Sequence, residues 1–313
     1  MTVSRHGLLL LNKKSGVTSF DSLRDVKRAF ATGKVGHTGT LDKFASGLLL
    51  VLVGRGVKLA PLFDRCTKEY VGTVRFGGET DTLDPEGTVI ARGSIPSRED
   101  LEVVLPAFRG NILQAPPAFS ALHINGRRAY ELVREGREPE MKRRPVTVFS
   151  LEILSWEAPD LVLSIRCSAG TYIRSLARDL AIAAGTRASL TALTRTRVGE
   201  FRLEDAVDLS NDVQSNEGDG ERLVKALRPL DRKLFDALSL PYFLVEGEAA
   251  EGFLHGKPLK GILALSEAEG TRGDDTPAAG VFKKNPAGES DMLLGVLKRQ
   301  NDGWSYGHVF ADS

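Results

Sequence analysis

The heptapeptide GHTGTLD, residues 36–42, combines two glycines with His37 and Asp42 and could serve three kinds of chemistry. A phosphate-binding loop would need a lysine directly after its last glycine, which this stretch lacks. A metal site would need converging ligands, but the histidines stand far apart, at positions 6, 37, 123, 255 and 308. What remains is a glycine loop that presents the Asp42 carboxylate, with positive φ angles or a close backbone approach at its glycines. A structural role for Asp42, as the cap of a turn or helix, stays open on spacing alone.

The composition is that of a folded globular protein whose charge is unevenly distributed. The chain has 313 residues, 42% of them hydrophobic, and a formal net charge of +1. Residues 1–75 contain 13 Lys+Arg against 5 Asp+Glu, whereas residues 241–313 contain 7 against 11. The basic N-terminal part fits a surface that binds a polyanion, although an uneven solvated surface would give the same counts.

The cysteine content and the hydropathy indicate the cellular compartment of the protein. Cys66 and Cys167 are the only cysteines, which excludes a disulfide framework and a structural zinc site with paired cysteines. The sequence contains no apolar stretch of about 20 residues and no signal-peptide core. We therefore expect a soluble cytoplasmic protein without membrane association.

Strands and a helix are predicted on both sides of GHTGTLD. Residues 7–12 and 48–53 are continuous apolar runs of strand length. Residues 18–30 show helical spacing, with Thr18 or Ser19 as the N-cap. The heptapeptide should therefore connect a helix to a buried strand.

Further along the chain, strands and helices mix without strict alternation. Residues 68–77 alternate as a half-buried strand that includes Tyr70, and residues 81–87 read as a hairpin loop. Residues 146–154 and 161–168 are expected to pair antiparallel, and Thr171 is expected to cap a helix that ends at Gly185. These elements predict the α+β class, with a curved, mostly antiparallel mixed sheet flanked by helices.

Two domains are predicted from the change in texture near residue 236. Residues 1–235 would form the larger domain, with a linker around residues 210–220 near its C-terminal end. Residues 236–313 would form a small β-rich module. Within that module, residues 266–290 are polar and rich in small residues, so we expect a mobile, disordered insert that buries nothing. A hairpin turn is expected at positions 302–303.

Eight ordered blocks within residues 8–201 resemble the TruB family of tRNA pseudouridine synthases. In chain order they are LLLLNKKSGVTSFDSLRDVKRAF, KVGHTGTLD, ASGLLLVLVG, KEYVGTVRFGGETDTLDPEG, QAPPAFSALHINGRRAYELVREG, RPVTVFSLEI, CSAGTYIRSLARDLA and LTRTRVGEF. The resemblance implies a pseudouridine synthase catalytic domain followed by a C-terminal PUA-like module. It also implies isomerisation of uridine 55 in the T loop of tRNA, with base flipping and without metal or organic cofactor.

Matching the family's motifs assigns roles to single residues. Asp42 matches the catalytic carboxylate, Tyr70 the tyrosine that stacks on the target base, and Arg174 the basic partner of the aspartate. His37 matches the histidine that inserts into the RNA as the base flips out. Tyr172 and Leu193 match further residues of the base pocket, in the substrate-binding set His37, Tyr70, Tyr172, Arg174 and Leu193.

Chemistry makes these roles reasonable and adds two expectations. Breaking the N-glycosidic bond leaves an electron-poor sugar carbon that a carboxylate can stabilise, while an aromatic face can hold the detached base. A neighbouring arginine should lower the pKa of Asp42. Arg178, one turn after Arg174, is taken as a surface charge.

The chain departs from the family pattern beside the catalytic aspartate. Lys43-Phe44 follow Asp42 where the family usually has Pro-Leu, and Lys13-Lys14 stand where it has Lys-Pro. Losing the proline should loosen the backbone after the carboxylate. How this loop is supported is left open by the sequence.

The resemblance further implies the tRNA T-arm as partner, a monomer, and no obligate protein partner. Two other functions compete with catalysis on tRNA. One is an RNA-binding or tRNA-folding protein, a role that the enzyme could also combine with catalysis. The other is a guide-RNA-dependent relative that acts on ribosomal RNA within a complex. The guide-RNA-dependent alternative is disfavoured because the chain has no long lysine-rich tail.

Overall fold

The computed structural model describes residues 6–124, 126–137, 139–209, 216–269, 276–285, 291–300 and 303–310. The strands are β1 Gly7–Lys13, β2 Val35–Thr38, β3 Ser46–Val53, β4 Lys68–Phe76, β5 Gly78–Thr80, β6 Val89–Arg92, β7 Gly110–Gln114, β8 His123–Ile124, β9 Arg127–Arg128, β10 Arg144–Glu157, β11 Asp160–Cys167, β12 Ala188–Val198, β13 Phe201–Arg202, β14 Val207–Asp208, β15 Tyr242–Val245, β16 Glu267–Glu269, β17 Ala278–Lys283, β18 Met292–Gln300 and β19 Gly303–Val309. The helices are α1 Leu23–Ala29, α2 Arg98–Val104, α3 Ala129–Arg134, α4 Ile173–Ala183, α5 Asn216–Lys225, α6 Arg232–Ala237, α7 Gly247–Leu254 and α8 Leu259–Ala264. Short 3₁₀ segments cover Gly54–Phe63, Leu105–Phe108 and Leu203–Asp205.

A large mixed sheet forms the centre of the molecule. Its strands run in the order β14-β1-β3-β12-β4-β11-β10-β7, with β2 paired to β3 and β13 paired to β12. The pairs β1–β14 and β3–β12 are parallel and the other pairs are antiparallel. The predicted α+β class with a mostly antiparallel mixed sheet is therefore confirmed.

Helices cover this sheet because each has one apolar face. Leu23 and Val26 of α1 are buried against β1 and β3, and α4 buries Leu176, Ala177 and Leu180 against β4 and β12. Strand β3 reads SGLLLVLV and is buried from its second residue to its last, as expected of a strand covered on both faces. The middle of the sheet is thus a rigid support for the loops at its edges.

The predicted N-caps differ from those of the helices in the structure, which are Ser22 for α1 and Tyr172 for α4. Helix α1 begins at Leu23, after a turn in which Thr18 Oγ1 accepts a hydrogen bond of 3.0 Å from the Asp21 amide. The Ser19 hydroxyl bonds to Leu41 instead, and helix α4 begins at Ile173 after Tyr172, without a side-chain cap. Capping residues close to a helix start can bond elsewhere when a neighbouring loop offers better-placed groups.

The smaller C-terminal sheet corrects the prediction for residues 266–290. Its strand order is β16-β15-β17-β18-β19, so β17 occupies the middle of the sheet. Val281 and Phe282 are fully buried, and the Phe282 ring lies edge-on to Phe235, with centroids 5.2 Å apart. The small residues of this stretch pack closely between strands rather than leaving it unpacked, although residues 270–275 and 286–290 lie outside the described part of the chain.

The structure also bears on the predicted linker and on the predicted C-terminal hairpin turn. Residues 216–220 of the predicted linker belong to α5, and residues 210–215 lie outside the described residues. Position 302 of the predicted C-terminal turn also lies outside them, but β18 and β19 pair antiparallel as a hairpin should. We keep the division into 1–235 and 236–313 as a proposal. Among the helices described, none is both long and apolar enough to span a membrane.

Candidate active site

The heptapeptide forms the end of β2 and the loop that follows it. Gly39 has a φ of +81°, a conformation that glycine adopts without strain, which agrees with the predicted positive φ. Leu41 is buried and is held by Ser19, whose hydroxyl accepts from the Leu41 amide and donates to its carbonyl, both at 2.9 Å. The loop is thereby fixed one residue before Asp42, and the Asp42 carboxylate projects away from it.

The chain after Asp42 is fixed by main-chain contacts to the turn that follows β1. The Lys43 carbonyl accepts from the Gly16 amide at 2.8 Å and from Lys13 Nζ at 3.3 Å. The Phe44 carbonyl accepts from the Ser15 hydroxyl at 2.6 Å. These bonds provide the bracing that the sequence left open.

Lys13 is itself unusual because its side chain is buried. Its exposure is 1%, and its ammonium donates to the carbonyls of Lys14, Val17 and Lys43. Burial lowers the pKa of Lys13 to about 8, an effect that the nearby Asp42 carboxylate opposes. The sequence analysis did not assign this residue to the site.

Arg174 is the partner of Asp42, as the resemblance implied. It lies in the first turn of α4, where its Nη2 donates to Asp42 Oδ1 at 2.9 Å and its Nε lies 2.9 Å from Oδ2. Its side chain is only 6% exposed, against 36% for that of Asp42. The guanidinium therefore lies beneath the carboxylate and leaves part of it open to solvent.

A second carboxylate, which the sequence analysis missed, holds Arg174 from the other side. Arg174 Nη1 lies 3.2 Å from Asp84 Oδ2 and donates to the Thr82 carbonyl at 2.8 Å, while Nη2 donates to the Phe119 carbonyl at 3.1 Å. Asp84 is buried in the predicted hairpin loop 81–87, which β5 and β6 confirm by pairing antiparallel. One buried arginine is thus shared by two aspartates.

The expected direction of the Asp42 pKa shift is wrong. Burial raises the pKa of Asp42 above 3.8, and the negative charge of Asp84 adds to the increase. The charge and hydrogen bonding of Arg174 oppose it without reversing it. An arginine that is already shared with a second carboxylate stabilises the first one less than an undivided partner would.

Most of the residues assigned to the base pocket surround one cleft of about 740 Å³. Its walls include Asp42, Tyr70, Tyr172, Arg174 and Leu193. Tyr70 and Leu193 are largely buried, on the adjacent strands β4 and β12. Burial raises the pKa of the Tyr70 hydroxyl, so the phenol is further from ionisation than usual.

His37 is the exception, because it does not line this cleft as the structure describes it. It lies on β2 opposite Val51 of β3, and its Nδ1 is buried without a hydrogen-bond partner among the described residues. Burial, followed by the charge of Arg195, lowers the pKa of His37.

Residues 119–123 line another side of the cleft, and the segment that leads to them bonds to α4 and to the residue before it. Gln114 accepts from the Tyr172 amide at 2.8 Å and donates to its carbonyl at 3.1 Å. Arg178 donates to the Ala115 carbonyl at 3.0 Å, and its side chain is only 19% exposed. The interpretation of Arg178 as a surface charge is therefore wrong, because its side chain is largely covered and bonds to the main chain of this segment.

The fold around this site is found in solved structures. A chain in the crystal structure of a Cbf5-Nop10-Gar1 complex matches 99% of this chain and 84% of its own length, with a TM-score of 0.68 and 23% sequence identity. The chain accordingly has the fold of that solved chain. A family model and curated relatives, rather than the fold, identify it as a pseudouridine synthase, an enzyme of the isomerase class.

Sequence comparisons specify the family within that class. The model of the TruB family pseudouridylate synthase N-terminal domain matches residues 27–173, and that of the tRNA pseudouridylate synthase B C-terminal domain matches residues 174–234. The tRNA pseudouridine synthase B of Borreliella burgdorferi (strain ZS7) is 49% identical over 66% of this chain and 74% of its own length. That of Clostridium kluyveri is 38% identical over 83% of this chain and 88% of its own length. The chain belongs to the TruB family.

Proposed function

We propose that this enzyme isomerises uridine 55 in the T loop of tRNA to pseudouridine, with Asp42 as the catalytic carboxylate. The relatives named tRNA pseudouridine synthase B support tRNA as the substrate. The observation that carries the proposal is the Asp42 carboxylate, which opens into the cleft while Arg174 holds it from beneath.

The side chains around the cleft fit the steps of this isomerisation. The bond between N1 of uracil and C1′ of the ribose breaks, the uracil rotates, and C5 bonds to C1′. C5 then loses its proton and N1 gains one, so that the product is an isomer of the substrate. Asp42 would stabilise the electron-poor C1′, either by attacking it or by removing a sugar proton, with Arg174 fixing its orientation. The ring of Tyr70 and the side chain of Leu193 would hold the detached uracil between them, and Tyr172 would close the pocket.

The depth of the site supports a reaction in which the target base leaves the RNA fold. Asp42 lies against a buried arginine, and Tyr70 is only 9% exposed. A uridine stacked inside a folded loop cannot bring its C1′ to such a position, so it would have to flip out. The basic N-terminal 75 residues would attract the phosphates of the T-arm.

The proposed target can be tested with the purified chain and an unmodified T-arm stem-loop. We expect pseudouridine at position 55 and at no other uridine of the hairpin, detected by mass spectrometry of nuclease fragments. A hairpin with cytidine at position 55 is the control and should yield no product. Pseudouridine at another uridine of the wild-type hairpin would contradict the proposed specificity.

The same assay examines the guide-dependent alternative, which similarity to the Cbf5 fold keeps relevant. An enzyme that needed a guide RNA and partner proteins would leave the hairpin unmodified. Turnover by the chain alone would therefore favour the stand-alone mode of action.

The reaction should lose rate in acid at a higher pH than an ordinary aspartate would require. The carboxylate form of Asp42 is the reactive one, and burial raises its pKa above 3.8, so the midpoint of the acid limb should lie above that value. Below the midpoint the single-turnover rate should fall about tenfold per pH unit, as for one ionisation.

An Asp84→Asn variant should shift this limb in a known direction. Asp84 raises the pKa of Asp42, so removing its charge should move the midpoint to lower pH. Single-turnover rates across the acid range would measure both midpoints. A midpoint that moved upward in the variant would contradict the assignment of this limb to Asp42.

A further inference from the structure

Arg195 of β12 is a buried cation whose role neither the resemblance nor the proposed mechanism defines. It is 1% exposed, and within the described part of the chain no carboxylate lies within ion-pair distance of it. A buried charge without a counterion destabilises a fold unless hydrogen bonds replace its lost hydration. The acceptors of Arg195 should therefore show what the residue is for.

The guanidinium bonds to main-chain carbonyls on two elements. Its Nε donates to the Leu48 carbonyl of β3 at 2.7 Å, and its Nη2 donates to the Gly39 carbonyl at 3.1 Å. Gly39 lies in the loop between β2 and Asp42. Arg195 thus ties the loop that presents the catalytic carboxylate to the central strand of the sheet.

Arg195 also faces Tyr70 across the β12–β4 pair. The two residues are partners in the strand register, and both side chains reach the cleft. The positive charge of Arg195 opposes the increase in the pKa of the Tyr70 hydroxyl that burial causes. The tyrosine proposed to stack on the uracil therefore has Arg195 as a polar neighbour in an otherwise apolar strand environment.

A glycine makes room for the backbone of Arg195. A Cβ on Gly47 would lie 2.3 Å from the Arg195 carbonyl oxygen, and Gly47 has a φ of +102°. The close approach of β3 and β12 at Arg195 therefore needs a glycine at position 47. A Cβ on Gly39 would lie 3.6 Å from Arg195 Nη1, an ordinary contact distance, so the glycine of GHTGTLD is explained by its positive φ instead.

We infer that Arg195 is a positioning residue for the reaction: it holds the Asp42 loop in a fixed position on the sheet, beside the Tyr70 ring. The inference rests on the proposed function, because it assumes that Asp42 and Tyr70 act on the target uridine. Errors of about 1 Å in the position of reacting groups can lower rates about 100-fold, so one guanidinium that holds the Asp42 loop beside Tyr70 can control the rate.

The test compares Arg195→Met and Arg195→Lys with wild type on the T-arm hairpin. Arg195→Met should lower the single-turnover rate about 100-fold, while the dissociation constant for the hairpin changes less than about threefold, because a buried side chain makes no phosphate contact. Arg195→Lys keeps the charge but cannot bond to both carbonyls at once. Its rate should therefore lie between that of wild type and that of Arg195→Met. Rates are normalised to the folded fraction, measured by thermal unfolding.

Arg109→Met is the matched control. Arg109 also donates from Nε and Nη2 to a main-chain carbonyl, that of Leu151, but it does not line the cleft. Its loss should leave the rate within about twofold of wild type.

Three results would overturn the inference. One is a single-turnover rate equal to that of wild type in both Arg195→Lys and Arg195→Met, after normalisation to the folded fraction. Another is a loss of hairpin affinity as large as the loss of rate, which would indicate a substrate contact instead. An inactive wild-type chain would overturn the proposed function and this inference together, whereas active wild type with fully active variants removes only the inference.

Discussion

Asp42→Asn is expected to abolish pseudouridine formation while leaving RNA binding nearly unchanged. The amide keeps the size of the side chain but cannot supply the negative charge that stabilises the sugar carbon or removes its proton. Loss of a group that acts directly on the reacting atoms lowers rates by roughly 10³-fold or more. Single-turnover product formation and hairpin affinity, measured on the same preparation, would show the separation.

Asp64→Asn is the control for this experiment. Asp64 lines the same cleft, is exposed, and has no contact with Arg174 within the described residues. If loss of any negative charge in the cleft slowed the reaction, both variants would be slow. Substantial product from Asp42→Asn would show that another group is the catalytic carboxylate.

Arg174→Met is expected to damage both stability and activity, because it removes the shared partner of two carboxylates. The Asp84 side chain is 8% exposed and would be left as a buried charge without a cation. Breaking a buried pair in this way costs about 3–5 kcal/mol of unfolding free energy. Denaturant unfolding would measure this loss, and the single-turnover rate should fall by roughly 10³-fold because Asp42 loses its orientation.

Adding Asp84→Asn to Arg174→Met separates the two effects. The double variant no longer contains the buried unpaired charge, so it should regain most of the lost stability. Its activity should not return, since Asp42 still lacks the guanidinium that orients it. Recovery of activity together with stability would mean that Arg174 contributes to the fold alone.

Local patterns in the sequence predict the elements that carry the site well. The apolar run of β3, the alternation of β4 and the periodicity of α4 each report a covered face, and all three elements occur where they were expected. Asp42 became a candidate because a glycine loop followed by a carboxylate is a local feature, and the family resemblance gave it its expected role. The family match then added Arg174, and the structure places its Nη2 within hydrogen-bonding distance of Asp42 Oδ1.

Other features depend on distant parts of the chain and carry no local signal. Asp84 lies in a stretch dense in turn-forming residues, so its burial against α4, 90 residues further on, is not visible there. Arg195 belongs to the alternating segment TRTR, in which an inward arginine cannot be told from an outward one. Strand β17 was assigned to a mobile insert because Ala and Gly resemble linker composition, whereas in a sheet they allow close packing beneath Phe235.

The hydrogen bonds that hold residues 43 and 44, directly after Asp42, affect which substitutions these two positions tolerate. Lys43 and Phe44 are held through their carbonyl oxygens, which accept from Gly16, Lys13 and Ser15. Every amino acid, proline included, has that oxygen, so the attachment does not depend on which side chains occupy the two positions. A change between Pro-Leu and Lys-Phe at these positions therefore leaves these bonds in place. Substitutions in the facing turn have larger effects: replacing Lys13 or Ser15 removes a side-chain donor, and Gly16 has a φ of +83°, which other residues adopt only with strain.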